Sequence, residues 1–341
     1  MYSVHQHWDK LKVCIVGKTY PQQFYSYISN TKVRNVLERI AIETEEDYQK
    51  LIKLLESFNV KVLRPEIQDS IEFYKKDKSY LPPPMTPRDY SAMIGTTLYW
   101  RNGKFLSNDF INVFNDVKKQ QNKIKVNSPR INSAMTTRIG KDLYFGTETE
   151  KDYTDKKFLN SRIKEFSKNY RCHFVNTEGH SDSVFCPVVP GLIVSLKDIQ
   201  NYEKTFPAWE IIYLPNEGRE KIREFALLKE KNAGKWWVPG EELNDDFTEF
   251  VETWLHDWVG FVEETVFDVN MLVIDKNNVV CNNYNKKVFD AFSRYNITPH
   301  IVNFRHRYFW DGGLHCITSD LDREGVMEDY FPDRGNESII S

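Results

Sequence analysis

One pattern recurs along this chain and limits its fold more than any other: an apolar hairpin, an amphipathic helix, then a further strand. The clearest copy comes late. Asn270 to Ile274 reads as a strand, Asp275-Lys276-Asn277-Asn278 as a turn and Val279-Val280-Cys281 as the return strand. Lys286 to Tyr295 follows with apolar residues at Val288, Phe289, Phe292 and Tyr295, a helical spacing. Pro299 to Phe304 closes the copy as a strand. One such unit cannot bury its own apolar face, so several must pack together.

Other copies keep the order. Ser183 to Val189 and Leu192 to Leu196 flank the turn dipeptide Pro190-Gly191, and a short helix at Ile199 to Lys204 leads to the strand Trp209 to Leu214. A strand at Lys141 to Gly146 precedes a helix at Lys156 to Ser167 and then Cys172 to Val175. Near the start, Leu11 to Val16 is a strand. Thr44 reads as the N-cap of a helix running to about Phe58, with Glu45, Glu46 and Asp47 in its first turn, and Val60 to Leu63 is the strand beyond. Ala92 to Tyr99 supplies another hairpin half. The set predicts a closed α/β assembly of about five modules around a cavity where loops from several modules converge. Lys229 to Phe261 fits no module. Rich in acids and in tryptophan (Trp236, Trp237, Trp254, Trp258), it reads as an insertion, either peripheral helix packing or a lid.

Composition removes several classes of function. The 341 residues carry a formal net charge of -3, so nothing pulls the chain as a whole toward nucleic acid or an anionic membrane. Its apolar runs, such as Val188 to Leu196, are too short to span a bilayer, and the N-terminus lacks the apolar core of a signal peptide. His5-Gln6-His7 reads as a flexible terminus. The five cysteines are scattered, with no paired spacing for a metal or a disulfide framework, which points to a reducing cytoplasm. No metal and no cofactor is implied.

Three polar clusters carry chemistry. Cys316 lies in Asp311-Gly312-Gly313-Leu314-His315-Cys316-Ile317-Thr318, where the glycines permit close approach and Ile317-Thr318 begins a strand. Context alone leaves it open between a core thiol and a nucleophile. Pro87-Arg88-Asp89 follows the stiff run Pro82-Pro83-Pro84, which fixes a loop just before an apolar strand. Glu178-Gly179-His180-Ser181-Asp182 puts an imidazole and a carboxylate at alternate positions before a buried hairpin, a pairing suited to acid–base work or to holding a cation.

Taken together, these motifs resemble those of the amidinotransferases, a family of the guanidine-modifying, or pentein, superfamily whose type is glycine amidinotransferase. The residues that carry the likeness are Pro87-Arg88-Asp89, His180-x-Asp182 before the Pro-Gly hairpin, and Gly312-Gly313-x-His315-Cys316-x-Thr318-x-Asp320. Trp8 to Gly17 is similar to the family's first strand, and the likeness runs in order to about Gly325. The resemblance implies a single catalytic domain over residues 1–341, folded as a fivefold pseudosymmetric α/β propeller, with the insertion at about 229–261.

It also implies a chemistry. Asp89 and Asp182 would grip a planar guanidinium, Cys316 would attack its central carbon, and His180 would move the protons. The partners would be a small guanidino donor and a primary amine acceptor, and the protein a homodimer. Water in place of the amine would make the enzyme a guanidine hydrolase. Where the family places an Asp that orients the histidine, within Asp-Ala-Ala-Asp, this chain reads Asn132-Ser133-Ala134-Met135. Asn132 therefore takes the orienting position and Met135 that of the second acid. An Asn carbonyl accepts a hydrogen bond from imidazole but brings no charge. Three readings follow: Asn132 suffices, Glu178 helps, or the chain is a non-catalytic binding homologue; Glu178, Met135 and His315 are the accessory candidates. The arginine that some members use to hold a substrate carboxylate is absent from Ser195 to Ile199, where Lys197 stands.

Overall fold

Alternating β-branched and apolar residues on either side of tight turns build the hairpins of this chain, and the strand beyond each hairpin joins it in a three-stranded sheet. The computed structural model describes residues 1–67, 80–101, 106–126, 131–147, 155–177, 179–196, 202–214, 238–256, 258–259 and 266–335. Among them the strands are β1 (Lys10–Val16), β2 (Lys61–Leu63), β3 (Ser91–Ile94), β4 (Thr97–Trp100), β5 (Lys123–Val126), β6 (Thr136–Ile139), β7 (Asp142–Thr147) and β8 (Arg171–Asn176). Then come β9 (Phe185–Val189), β10 (Leu192–Ser195), β11 (Glu210–Tyr213), β12 (Leu272–Asp275), β13 (Asn278–Cys281), β14 (Thr298–Ile301) and β15 (Thr318–Glu324). They form five sheets, ordered β15-β1-β2, β3-β4-β5, β6-β7-β8, β9-β10-β11 and β12-β13-β14.

All five sheets share one pairing scheme. The middle strand runs antiparallel to its hairpin partner and parallel to the strand that follows the helix. The parallel pair needs a crossover, and a helix supplies it. The first sheet differs in one respect: its antiparallel partner comes from the far end of the chain. β15 lies against β1 from Lys10↔Glu324 to Val16↔Thr318, so the two ends of the fold meet in one sheet. The antiparallel pairs are buried on both faces (β3, β6, β7, β9 and β10 throughout), whereas β2, β5, β11 and β14 are half-exposed outer edges.

The longest element, the helix Thr31–Ser57, shows how the modules close. Val33, Val36, Leu37, Ile40, Ala41, Tyr48, Leu51 and Leu55 recur at three- and four-residue steps and pack against β1, β12 and β13 in one core cluster. Its start differs from the sequence expectation. Asn30 is the N-cap, its Oδ1 accepting the Lys32 N–H at 3.0 Å. Thr44 lies fully buried in the helix middle, where its Oγ1 accepts the indole N–H of Trp310 at 2.9 Å. Of the acids after it, Glu46 is exposed and Glu45 half-buried on a helix already under way, while Asp47 is buried and accepts from Arg305.

Other expectations are corrected in the same way. His5-Gln6-His7 is no loose end: Gln6 and His7 are buried, Gln6 bridges to Ile139, and the Arg138 N–H donates to His7 Nε2 at 3.2 Å. Ala92 to Tyr99 contains a whole hairpin, not half of one, because Gly95 supplies left-handed backbone (φ 54°) at its turn. The strand expected over Pro299 to Phe304 is Thr298–Ile301. The helix Ile111–Lys119 and strand β5 complete the second module and were not read from the sequence. Part of the short helix expected at Ile199 to Lys204 lies outside the described residues, within which the helix is Tyr202–Thr205. Of the Trp-rich segment, Trp236 and Trp237 lie outside the described residues. The helix Asp245–Trp254 packs beside the helix Thr31–Ser57. Among the described residues no helix is long and apolar enough to cross a membrane.

Candidate active site

In four modules a polar residue stands two or three positions before the first hairpin strand: Asp89 before β3, Asp182 before β9, Asn270 before β12 and Cys316 before β15. The fifth module has Ala134 at that place, before β6. Tight 3-10 turns, Pro87–Asp89 and Ser181–Ser183, aim the two aspartates. Equivalent turns in similar modules thus deliver residues far apart in sequence to one place.

That place is a cavity of about 240 Å³ lined by Asp89, His180, Asp311 and Cys316, with Trp258 and Trp310 among its walls. His180 Nδ1 stands 3.6 Å from Asp89 Oδ1. Cys316 is buried, and its Sγ lies 3.0 Å from Asn270 Nδ2 and 3.5 Å from Asp182 Oδ2. Asp182 sits just behind the thiol, its Oδ2 accepting a hydrogen bond from His315 Nδ1 at 2.8 Å. Its Oδ1 is buried without a hydrogen-bond partner among the described residues.

Asn270 holds the Cys316 loop. Its Oδ1 accepts the backbone N–H of His315 (2.9 Å) and of Cys316 (3.2 Å), and its Nδ2 also reaches the Asp182 carbonyl (3.2 Å). A Cβ on Gly313 would fall 2.7 Å from that same Oδ1, so this glycine is required by close approach. Sequence reasoning read Asn270 only as the start of a strand. The signal that finds it is positional: it occupies the place that Asp89 and Asp182 occupy in their modules. Asp311 was also missed. It ends the short helix Arg307–Trp310 in left-handed backbone (φ 47°), and its side chain is exposed toward the cavity.

The charges have consequences for each group. Burial first, then the carboxylates of Asp182 and Asp89, hold the Cys316 thiol well above its ordinary range. Burial raises Asp89, and the neighbouring Asp182 adds to this against the pull of His180. The surrounding protein lifts Asp311 to about 6, with His180 opposing and Asp89 assisting. Burial would raise Asp182 too, but the His315 hydrogen bond and nearby positive charges outweigh it and leave it below the usual carboxylate range. Burial and then Arg88 push His315 down to about 4, so at neutral pH its ring is uncharged and donates through Nδ1 to Asp182.

The other expected residues fall as follows. Asn132 is buried, and its Oδ1 accepts the backbone N–H of Met135 at 2.8 Å, a local loop contact. Met135 is buried and accepts the Gly146 N–H through its carbonyl, while the Ala134 carbonyl receives the Asp182 N–H. This stretch therefore supports the Asp182 turn. Glu178 and Lys197 lie outside the described residues. Arg88, fully buried, donates from Nε to the carbonyls of His315 (2.7 Å) and Thr318 (2.8 Å), tying the Asp89 turn to the Cys316 loop. Cys14, Cys172, Cys186 and Cys281 are all buried and unpaired. Among the described residues no three His, Cys, Asp or Glu side chains are grouped to hold a metal.

Comparison with known proteins places this geometry. No protein-family model matches the chain. In sequence it is 20% identical over 208 residues to the L-arginine:L-lysine amidinotransferase of Pseudomonas savastanoi pv. phaseolicola, covering 60% of this chain and 47% of that protein. In structure it superposes on an amidinotransferase of the saxitoxin biosynthetic pathway of Microseira wollei with a TM-score of 0.69 at 16% identity, over 97% of this chain and 99% of the other. The chain is thus similar in sequence, and over nearly its whole length in fold, to amidinotransferases. Hydrolases share the fold: DDAH from Pseudomonas aeruginosa superposes with a TM-score of 0.54 at 11% identity, over 91% of this chain and 99% of that one. The chain spans about half the length of its curated amidinotransferase relative.

Proposed function

We propose that this protein transfers an amidino group from a guanidino donor to a primary amine through Cys316. The observation that carries the reading is the convergence of Cys316, His180 and Asp89 on one cavity, with Asp182 3.5 Å behind the sulfur. A guanidinium is planar and cationic, and carboxylates recognise it through paired, charge-assisted hydrogen bonds. Its positive charge, set between Asp89 and Asp182, cancels the two charges that hold the thiol protonated. The substrate thereby promotes formation of the thiolate that attacks it.

The steps balance. Cys316 passes its proton to His180, and the resulting thiolate forms a C–S bond to the guanidinium carbon. The C–N bond to the donor's alkyl nitrogen then breaks, and His180 gives that nitrogen a proton, leaving amidino-Cys316. The acceptor amine enters the vacated place, forms a C–N bond and loses its proton to His180. The C–S bond breaks and the thiolate is restored. Asn270 keeps the thiolate aimed, since its amide donates to the sulfur and its carbonyl pins the loop. Water in place of the amine gives hydrolysis, and Trp258 and Trp310 in the cavity wall serve to exclude it. In the same reading the five sheets are blades of a fivefold pseudosymmetric propeller, and residues 229–261 are an insertion into one catalytic domain.

Intact-mass analysis after incubation with arginine and other guanidines tests the proposal. The expected result is a gain of one amidino group, absent in Cys316→Ala and discharged by added primary amine. Discharge by water alone at the same rate identifies a hydrolase. No adduct with any guanidine identifies a binding protein, the outcome that Asn132's engagement with Met135 would explain.

A further inference from the structure

Three carboxylates serve this cavity, and one guanidinium needs only two of them. Asp182 lies 3.5 Å from the sulfur and Asp89 lines the cavity, and in the proposed reading these two account for the guanidinium. Asp311 lines the same cavity on the loop that leads to Cys316, exposed to the space the substrate must cross. Its charge acts on Cys316, His180 and Asp89 alike, so it stands within electrostatic reach of the reacting atoms. The one arginine of the Pro87–Asp89 turn is spent elsewhere: fully buried Arg88 turns toward the carbonyls of His315 and Thr318 and toward Asp320, 3.3 Å away. Among the described residues that line the cavity there is no lysine or arginine to meet a substrate carboxylate. The remaining wall mixes aromatic side chains, Phe267, Trp258 and Trp310, with the hydroxyl-bearing Thr86, Tyr90 and Ser183.

We infer that Asp311 is a specificity-determining residue that binds an ammonium group on the substrate's tail, so that the preferred substrates are guanidines ending in an amine rather than an α-amino acid. The inference rests on the guanidine-binding reading of the same cavity. The charge count motivates it. A guanidinium held by Asp89 and Asp182 leaves Asp311 uncompensated beside a thiolate, and a second positive charge on the ligand removes that repulsion. Placement supports it as well. Asp311 is held in left-handed backbone (φ 47°), a conformation that Asp and Asn tolerate better than other side-chain-bearing residues. The donor's leaving amine and the incoming acceptor occupy the same place in turn. One carboxylate therefore selects both, and the acceptor class is a diamine.

Three probes of matched reach separate the cases: 4-aminobutylguanidine, pentylguanidine (neutral in its tail) and arginine. Their rates of Cys316 adduct formation in the full-length protein are compared, together with their binding to Cys316→Ala by titration calorimetry. The amine-tailed compound is expected to exceed the neutral one by about tenfold or more in both readouts, with arginine weakest. Asp311→Asn preserves the left-handed turn and is expected to bring the amine-tailed and neutral compounds within about threefold of each other. Equal binding of the amine-tailed and neutral compounds by the wild-type site, a preference for arginine, or discrimination unchanged in Asp311→Asn overturns the inference. If binding discriminates as expected but no adduct forms, the catalytic reading fails and the role of Asp311 stands.

Discussion

A buried thiol beside two carboxylates is a poor nucleophile until a cation arrives, and this sets the behaviour of Cys316. Its alkylation by iodoacetamide is expected to be slower at pH 7 than that of a free cysteine and to climb with pH beyond the ordinary thiol range, because burial, Asp182 and Asp89 all favour the protonated form. Asp89→Asn removes one of those charges and is expected to speed alkylation at pH 7 while weakening guanidine binding. Unchanged alkylation in that variant would show that Asp89 does not act on the sulfur. Asn270 makes a second case. Truncation to Ala strips the acceptor from two backbone N–H groups and the donor from the sulfur, a loss of about 1–3 kcal/mol in urea unfolding, with adduct formation falling further than stability alone explains. Cys316, His180 and Asp182 could be singled out as candidates by residue type and motif, and Asp89 through the resemblance of its Pro-Arg-Asp turn. Asn270 and Asp311 could not, since an Asn before a strand and an Asp before two glycines are ordinary turn residues. Only the folded modules put Asp311 in the cavity wall and Asn270 against the Cys316 sulfur.

The hairpins β9–β10 and β12–β13 were the readable elements, because their strands are largely apolar and their turns carry Gly or Asx residues, whereas β6, Thr-Thr-Arg-Ile, gave no such signal. The outer strands were harder. β5, Lys123–Val126, alternates lysine with an apolar residue at a half-exposed edge and gives no burial signal beyond its own length. Thr44 misled for a different reason. A Thr followed by three acids has the composition of a helix start, yet here its hydroxyl is needed inside, as the acceptor for the Trp310 indole. That contact links the helix Thr31–Ser57 to the cavity wall just ahead of Asp311. Thr44→Val leaves a buried indole N–H without its partner and is expected to cost about 1–3 kcal/mol in urea unfolding, with Thr44→Ser restoring most of it. If Val and Ser variants unfold alike, the hydroxyl does not hold this wall.

At the scale of the molecule, Asp320 connects what the sheets keep apart. It lies on β15, fully buried, and accepts from Arg138 Nη2 of β6 at 2.8 and 2.9 Å and from Arg323 Nε at 2.7 Å, with Arg88 Nη2 3.3 Å away. Those arginines reach further. Arg138 donates to the Met93 carbonyl of β3 (2.7 Å) and Arg323 to the Val273 carbonyl of β12 (2.9 Å), so four of the five sheets meet through this carboxylate. Asp320 was visible in the sequence as the last member of the Cys316 motif. Its place as a hub was not, because two of its three partners, Arg138 and Arg88, lie in other modules. Asp320→Asn leaves three buried guanidinium groups short of their counter-charge, and the expected loss is about 3–5 kcal/mol at pH 7, read as a lower urea midpoint. The pH dependence distinguishes lost charge from lost shape. Burial alone would raise the Asp320 carboxyl, but the charges of Arg138, Arg323 and Arg88 hold it well below its ordinary range. A carboxyl depressed in the folded state contributes its full stability above the ordinary carboxylate range and loses it as pH falls toward the folded value. The difference between wild type and Asp320→Asn should therefore be constant from pH 8 to about 5 and shrink below pH 4, where the unfolded wild-type chain gains the proton that the folded one resists. A difference that stays the same at pH 3 would mean that packing at this site, and not charge, joins the modules beneath Cys316.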